Sequence, residues 1–557
     1  MKVLLIYPYF IEERINAEDI TSPPIGLYWV AALLKEHGHD VKILNLHSGG
    51  DRIDQIREIL RQERPEVLGF SILHANRWGG IDIARVAKEI DPDVKVVFGG
   101  AGATFLWDHL LSNFPEVDYV VIGEGEYTFL HLLQYVERGD PSPEAIKGIA
   151  FRREGKIVHT GSSEPIADLD KLPIPAKHFT YQHVSSSRGC NWKCRFCGSP
   201  ALWNCTTRFR SAANFVDELE MLHRKGINFF YISDDTFTIK RKRVIEICRT
   251  IIEREFEITW NGISRVDAVD EEILYWMRMA GCIQISYGVE SGSSKIRALL
   301  NKKINIAQVK KAFALTRSYG ILPRAYFIYG SPGETWETIE ETIALIQEIQ
   351  PLAAIFYILD LFPGTELYER IKGSGLINDD IWLNRIEGLL YLETDPQLND
   401  RLVLDFGKKL RGAFYENVHS FAESISLVDN KELYEKHADF CSRLAMTFSH
   451  GEYSGNELVR DKEGVAERLF RKALGYGPVE RAYLGLGISR QKKGEHKEAV
   501  EILSKGVENF PLSEPLHICM GISYMALGEY DNALSCFSKF PDSPQARSYM
   551  EAWCRGE

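Results

Sequence analysis

The stretch SSRGCNWKCRFCGSP, Ser186–Pro200, places Cys190, Cys194 and Cys197 within eight residues. Three thiols on one short loop can hold an iron–sulfur cluster, bind zinc, or act as a redox pair. Structural zinc takes four ligands. Cys205 would have to be the fourth, and no His stands nearby at finger spacing. A redox pair needs only C-x-x-C, which Cys194 and Cys197 satisfy. A [4Fe–4S] cluster normally takes four Cys, so three leave one iron open to a small molecule.

Strand and helix signals alternate on both sides of this loop. From residue 183 to about 370 the strands are HVSSSRG, INFFYISDD, EITWNGIS, CIQISYGVES, LPRAYFIYG and AAIFYILDLFPGT, separated by amphipathic helices. Six such units predict a partial, open β/α barrel with its site at the strand C-termini. Residues 1–140 alternate likewise, through KVLLIYP, DVKILNL, VLGFSI, VKVVFGG and VDYVVIGEGE. Five steps with short joins predict a doubly wound, Rossmann-like parallel sheet, with ligands at the strand carboxyl ends. Residues 141–182 read as a linker with a hairpin turning at Glu154-Gly155. The barrel is expected over 183–375.

Residues 376–455 read as a helical extension. Trp382–Glu393 could line a pocket, and core packing is the better expectation. Residues 456–557 carry a repeat: Gly487, Gly494 and Ala499 recur as Gly521, Gly528 and Ala533, each 34 residues on. That period, with small residues at the tight points, marks tetratricopeptide-like helix pairs. So few repeats should pack on their neighbour. They could be a structural cap or a binding face for a protein partner or peptide.

The chain has 557 residues, room for about three or four domains. Its net charge of −12 argues against general nucleic-acid binding. No apolar run reaches membrane-span length. The opening MKVLLIYPYF is followed by IEERINAED with no small-residue cleavage site, so it reads as a buried strand and not a signal peptide. Ten Cys, most of them isolated in apolar stretches, point to a reducing cytoplasm.

The C-x3-C-x2-C spacing, with Phe196 before the last Cys, resembles the radical S-adenosylmethionine (SAM) superfamily. The order of the downstream segments matches too. The resemblance implies that Cys190, Cys194 and Cys197 hold a [4Fe–4S] cluster. It implies SAM contacts at Phe196, at Asp234 and Asp235 in YISDDTFT, and at Arg265 in WNGISRVD. Further contacts are implied at Glu290 and Ser291 in YGVESGS, and at Gly330, Pro332 and Gly333 in FIYGSPGET. Each also has a plain role available: a helix cap for the Asp pair, a surface ion pair for Arg265, a turn for the glycines.

Residues 1–140 resemble the cobalamin (B12)-binding domain that precedes such barrels; the two resemblances together cover about residues 1–370. They imply cobalamin contacts at Pro24, Gly26, Ser71, Leu73, His74, Gly99, Gly100, Gly102, Thr104, Gly123, Glu124 and Gly125. The D-x-H-x-x-G lower-ligand motif is absent. His74 is the only tempting imidazole, and a corrin without a protein nitrogen is the expected state. The implied function is reductive SAM cleavage, hydrogen abstraction by a 5′-deoxyadenosyl radical, and methyl transfer to an unactivated carbon of an unknown small-molecule or peptide substrate. A flavodoxin- or ferredoxin-like electron donor is implied with it. Two alternatives stand beside it: a radical cyclase or rearrangement enzyme without methyl transfer, and a repeat-bearing adaptor with a vestigial front end.

Overall fold

The computed structural model describes residues 1–12, 22–47 and 53–555. Most of the IEERINAED stretch, the first two residues of the helix read at 51–63 and the last two of the C-terminal repeat region lie outside the described residues.

Seven strands form the first sheet: β1 (Lys2–Tyr7), β2 (Asp40–Asn45), β3 (Val67–Ser71), β4 (Lys95–Gly99), β5 (Tyr119–Val121), β6 (Ile149–Arg153) and β7 (Lys156–His159). Their order is β2-β1-β3-β4-β5-β6-β7, the first five parallel. Alternate β1 side chains go to opposite cores. Val3, Leu5 and Tyr7 pack with Leu27, Leu33, Phe129 and Leu132 of the helices Ile25–Glu36 and Glu126–Arg138. Leu4 and Ile6 pack with Ile56, Leu60, Ile81 and Ala84 of Ile53–Glu63 and Arg77–Ile90. Both faces are therefore covered, as a parallel sheet demands. The chain changes face between β1 and β3, which opens a crevice at their carboxyl ends.

The hairpin expected in a linker is part of this sheet. It turns at Glu154 (φ 51°) and Gly155 (φ 74°), and β6 pairs antiparallel with β5.

The second sheet has six parallel strands: β8 (His183–Val184), β11 (Phe229–Ile232), β12 (Thr259–Ser264), β13 (Cys282–Glu290), β14 (Leu322–Tyr329) and β15 (Ala353–Ile358), in the order β15-β14-β13-β12-β11-β8. Intervening helices start on side-chain caps. Ser211 accepts from Asn214 N–H, Asp270 from Ile273 N–H, and Asn305 forms a capping box with Gln308. The strand expected over HVSSSRG is split. Two residues enter the large sheet; then β9 (Ser187–Arg188) pairs antiparallel with β10 (Arg208–Phe209).

Residues 376–399 carry two short 3-10 turns, Asp379–Leu383 and Tyr391–Thr394, in place of the expected regular helix. Trp382 is fully buried and does pack in the core. Arg77, also fully buried, lies over its ring at 4.7 Å and donates to Trp382 O (3.4 Å) and Asn384 O (3.3 Å). This segment ties a helix of the first sheet to the second unit.

From residue 400 onward the chain is helical. Leu469, Phe470, Ala482 and Leu486 join the main core, and Arg481 pairs with Asp439 at 3.2 Å. Gly487 and Gly521 sit where a Cβ would come within 2.6 Å of Leu503 and Phe537, respectively. Gly494 and Gly528 make equivalent turns with φ of 74° and 77°.

Candidate functional site

The loop carrying Cys190, Cys194 and Cys197 leaves the second sheet at the carboxyl end of β8, and its base is held by Asp234. This carboxylate is buried and accepts from the backbone N–H groups of Ser186 (2.6 Å) and Ser187 (3.2 Å) and from both their hydroxyls (2.5 and 2.6 Å). Arg243 donates to Ser186 O at 2.7 Å and braces the same turn. With the Ser185 hydroxyl at 3.3 Å, the oxygens of Asp234, where the sequence implied a SAM contact, are taken up by five donors of their own chain. Asp234→Asn sets an amide NH2 against those donors. It should destabilise the fold by about 2–3 kcal/mol, the worth of hydrogen bonds to a buried charged acceptor, read by denaturant titration.

Gly189 follows with φ 95°; a Cβ there would lie 2.1 Å from Thr206 O, so only glycine fits. The loop is then fixed by its neighbours. Arg195 N–H donates to Leu300 O (3.1 Å), Arg195 O accepts from Leu367 N–H (2.9 Å), and Trp192 lies under Arg265 at 4.1 Å. All three thiols are partly exposed. Burial raises the Cys194 thiol and pushes Cys197 up to about 12. Metal binding takes the thiolate, so it displaces the proton that burial favours. Three thiols are one short of the four ligands of structural zinc, whereas a [4Fe–4S] cluster held by three leaves one iron open, so this donor set fits a cluster better than zinc.

Around the thiols, Asp235 accepts from Ser199 at 3.1 Å, and burial raises its carboxyl. Arg265 chelates Asp267 through two bonds of 2.9 Å. Glu290 has φ 65°, a strained value for a non-glycine, and pairs with partly buried Lys302 at 2.8 Å. Phe196 packs against the core. Ser291, where the sequence implied a SAM contact, turns its hydroxyl to Thr342 (3.2 Å) on the helix Trp336–Ile349. Gly330 and Gly333 make a turn with φ of 74° and 69° around Pro332. Next to it Glu334, which the sequence reading missed, is buried; burial raises its carboxyl to about 7 although it accepts from Ser331 N–H.

A cavity of about 360 Å³ opens at the crevice of the first sheet. Nine of the twelve positions expected at a corrin line it: Pro24, Gly26, Ser71, Leu73, Gly99, Gly100, Gly123, Glu124 and Gly125. Its other wall is the second unit, with Arg188, Gly189, Leu202, Trp203, Ser233 and Asp235. A Cβ on Gly99, Gly123 or Gly125 would meet nothing nearer than 3.6 Å, so the backbone leaves a cradle that side chains would fill. That space fits a large planar cofactor.

The other three expected corrin positions are not among the residues lining the cavity. His74 donates from Nε2 to Asp360 at 3.1 Å and packs on the Phe362 and Trp382 rings, outside the cavity. Gly102 allows close helix packing, because a Cβ would lie 2.4 Å from Leu73 C. Thr104 accepts from Gly123 N–H at 3.0 Å and holds that turn.

The two walls are joined by an ion cluster. Arg188 donates to Glu124 and Glu126 at 2.5 Å each, and Arg208 donates to Glu124 at 2.6 Å. All four side chains are at most 15 % exposed. Arg188 and Glu126 were not foreseen. The signal was there in the adjoining acids of GEGE and in a basic residue two before Cys190.

Residues 184–346 match the radical SAM superfamily and residues 19–133 the B12 binding domain. An uncharacterized methyltransferase of Pyrococcus horikoshii is 30% identical over 394 residues, which cover 69% of this chain and 85% of that one. The anaerobic magnesium-protoporphyrin IX monomethyl ester cyclase of Rubrivivax gelatinosus is 30% identical over 392 residues, covering 67% and 70%. The cobalamin-dependent SAM radical enzyme OxsB, solved with aqua-cobalamin bound, superposes with a TM-score of 0.59 at 16% identity. That match covers 100% of this chain and 84% of OxsB.

Proposed function

Because the chain belongs to the cobalamin-dependent radical SAM enzymes, we propose that it transfers a methyl group to an unactivated carbon, with the cavity between its two sheets as the meeting place of the cofactors. The observation that carries this reading is the double wall: Gly99, Gly123 and Gly125 on one side, Gly189, Trp203 and Asp235 on the other. When bound, the [4Fe–4S] cluster supplies the electron that splits SAM, and cobalamin supplies the methyl group.

Cys190, Cys194 and Cys197 would hold the cluster. Asp235 and the Glu290–Lys302 pair would face the polar end of SAM, and the Gly330–Gly333 turn its base. Arg188 and Glu124 keep the corrin cradle in register with the cysteine loop. Leu202 and Trp203 exclude water from the space between them.

We read the second sheet with its helices as a partial (β/α)6 barrel, and the helices from 462 onward as tetratricopeptide-like pairs that cap it. A low-potential flavodoxin- or ferredoxin-like donor in a reducing cytoplasm accords with the three open thiols. No helix among the described residues is long and apolar enough to cross a membrane.

Anaerobic protein reconstituted with iron, sulfide and cobalamin should convert SAM, under reduction, to both 5′-deoxyadenosine and S-adenosylhomocysteine. Ring closure without methyl transfer is the second reading, favoured by the 30% identity to the cyclase. It predicts 5′-deoxyadenosine alone, and failure to form either product would remove both. Gly99→Leu fills the cradle without backbone strain. It should weaken hydroxocobalamin binding at least tenfold in a visible-absorbance titration, while iron content stays constant.

A further inference from the structure

We propose that the inward face of the second sheet receives a substrate joining a carboxylate to an apolar ring system, with the carboxylate seated on Arg324. This rests on the reaction reading above for what happens to the substrate, and on the following geometry for its chemistry.

Parallel sheets are normally covered on both faces. Here Ile263 is 36% and Tyr357 43% exposed, although both sit within parallel strands. The outer face of β14 and β15 is packed: Phe327 stacks on Phe356, which meets Phe414, and Tyr329 accepts from Arg411. Alternation puts Arg324, Tyr326 and Ile328 on the opposite face, and Tyr326 there meets Tyr357 edge-on at 5.9 Å.

The strand register arranges this inner face in rows. Asn261 stands beside Gln284. One row nearer the carboxyl ends, Ile263, Ser286 and Arg324 align; Tyr326 and then Tyr357 stand above them.

Arg324 is the charged group on this face of β14. It makes no hydrogen bond or ion pair with any described residue, and its Nε is buried without a partner. Other buried guanidinium groups have partners: Arg210 pairs with Glu218, Arg188 with Glu124 and Glu126, Arg265 with Asp267 and Arg278 with Asp439, while Arg77, Arg243 and Arg297 donate to backbone carbonyls. A half-buried cation without an anion is unfavourable until one arrives. Its row brings Ser286, and the row below brings Gln284, Asn261, Tyr231 and His183, none of them a carboxylate. One guanidinium flanked by polar donors suits a carboxylate, whereas a phosphate dianion calls for a second permanent cation. The two tyrosines and Ile263 form an apolar wall with the edge-on geometry that takes a flat ring. Arg324 lies five residues below Tyr329, about 17 Å at roughly 3.3 Å per residue. The molecule thus reaches from a deep anionic anchor toward the cysteine loop.

The test compares 1-pyrenebutyrate with the neutral 1-pyrenebutanol by fluorescence titration of the full-length, cluster-reconstituted protein. The acid should bind at least about tenfold tighter, the range of one charge-assisted hydrogen bond. Arg324→Gln should erase that gap and Arg324→Lys should keep part of it, with iron content and cobalamin titration unchanged in both. Equal affinities in the native protein, or a gap that survives Arg324→Gln, would overturn the assignment. So would a pyrene phosphate that binds tighter than the acid. SAM cleavage by the same preparations reports separately on the reaction, so a lost cleavage with an intact gap would sink that reading alone.

Discussion

Replacing Cys190, Cys194 and Cys197 together by alanine will remove about four irons per chain and reduce SAM cleavage to background. The fold will survive. The thiols make only weak bonds, Cys190 to the Thr236 hydroxyl at 4.0 Å and Cys197 to the Ser199 N–H, and the loop is positioned by Asp234, Arg195 and Trp192. Iron analysis, the visible charge-transfer band and chromatography of 5′-deoxyadenosine measure the three outcomes. Cobalamin should still bind, because none of the three cysteines lines the cavity. Loss of corrin binding in this variant would show that the cradle depends on the cluster and is not preformed.

Arg188→Met should destabilise the protein by about 3–5 kcal/mol, because it leaves Glu126 and half of Glu124 buried without a partner. In scanning calorimetry this is a fall of roughly 6–20 °C for the transition of the first unit. Adding Glu126→Gln to Arg188→Met should restore part of the loss, since the uncompensated charge goes with it. A drop under about 1 kcal/mol in the single variant would show that water reaches these carboxylates. The same cluster has a pH signature. Burial pushes the Glu124 carboxyl up, but Arg208, Arg188 and the Ile166 N–H pull it below the usual range. Its contribution is therefore complete above the unfolded carboxylate pKa and is lost as acid takes the pH down through the lower folded value.

The alternation of strands and helices was legible because each parallel strand is a short apolar run closed by a turn, and each helix carries its own cap. The cysteine loop was legible because its spacing is local. Partners far apart in the chain were not. Asp234 sits in a motif that suggests a ligand contact, yet its partners are the serines 47 and 48 residues earlier. His74 drew attention as an imidazole near a strand end, and Asp360, 286 residues away, decides where it points. The hairpin at 149–159 was visible, but not the edge it would join, since an antiparallel pair can be read from its turn and a sheet order cannot. Gly99 and Gly102 look alike in GGAGAT; only the packing shows that one faces open space and the other a backbone.

The clasp between Arg77 and the Trp382 segment bears on how this chain is made. A helix near the amino end carries a guanidinium and a tryptophan, Arg77 and Trp78, whose acceptors lie 305 and 306 residues downstream. At roughly 5–20 residues per second, a ribosome needs on the order of 15–60 s to deliver them. Throughout that interval the nascent first unit shows an unfinished flank. Completion of its fold is thus scheduled by synthesis of the catalytic unit, and chains truncated before residue 382 are expected to engage chaperones.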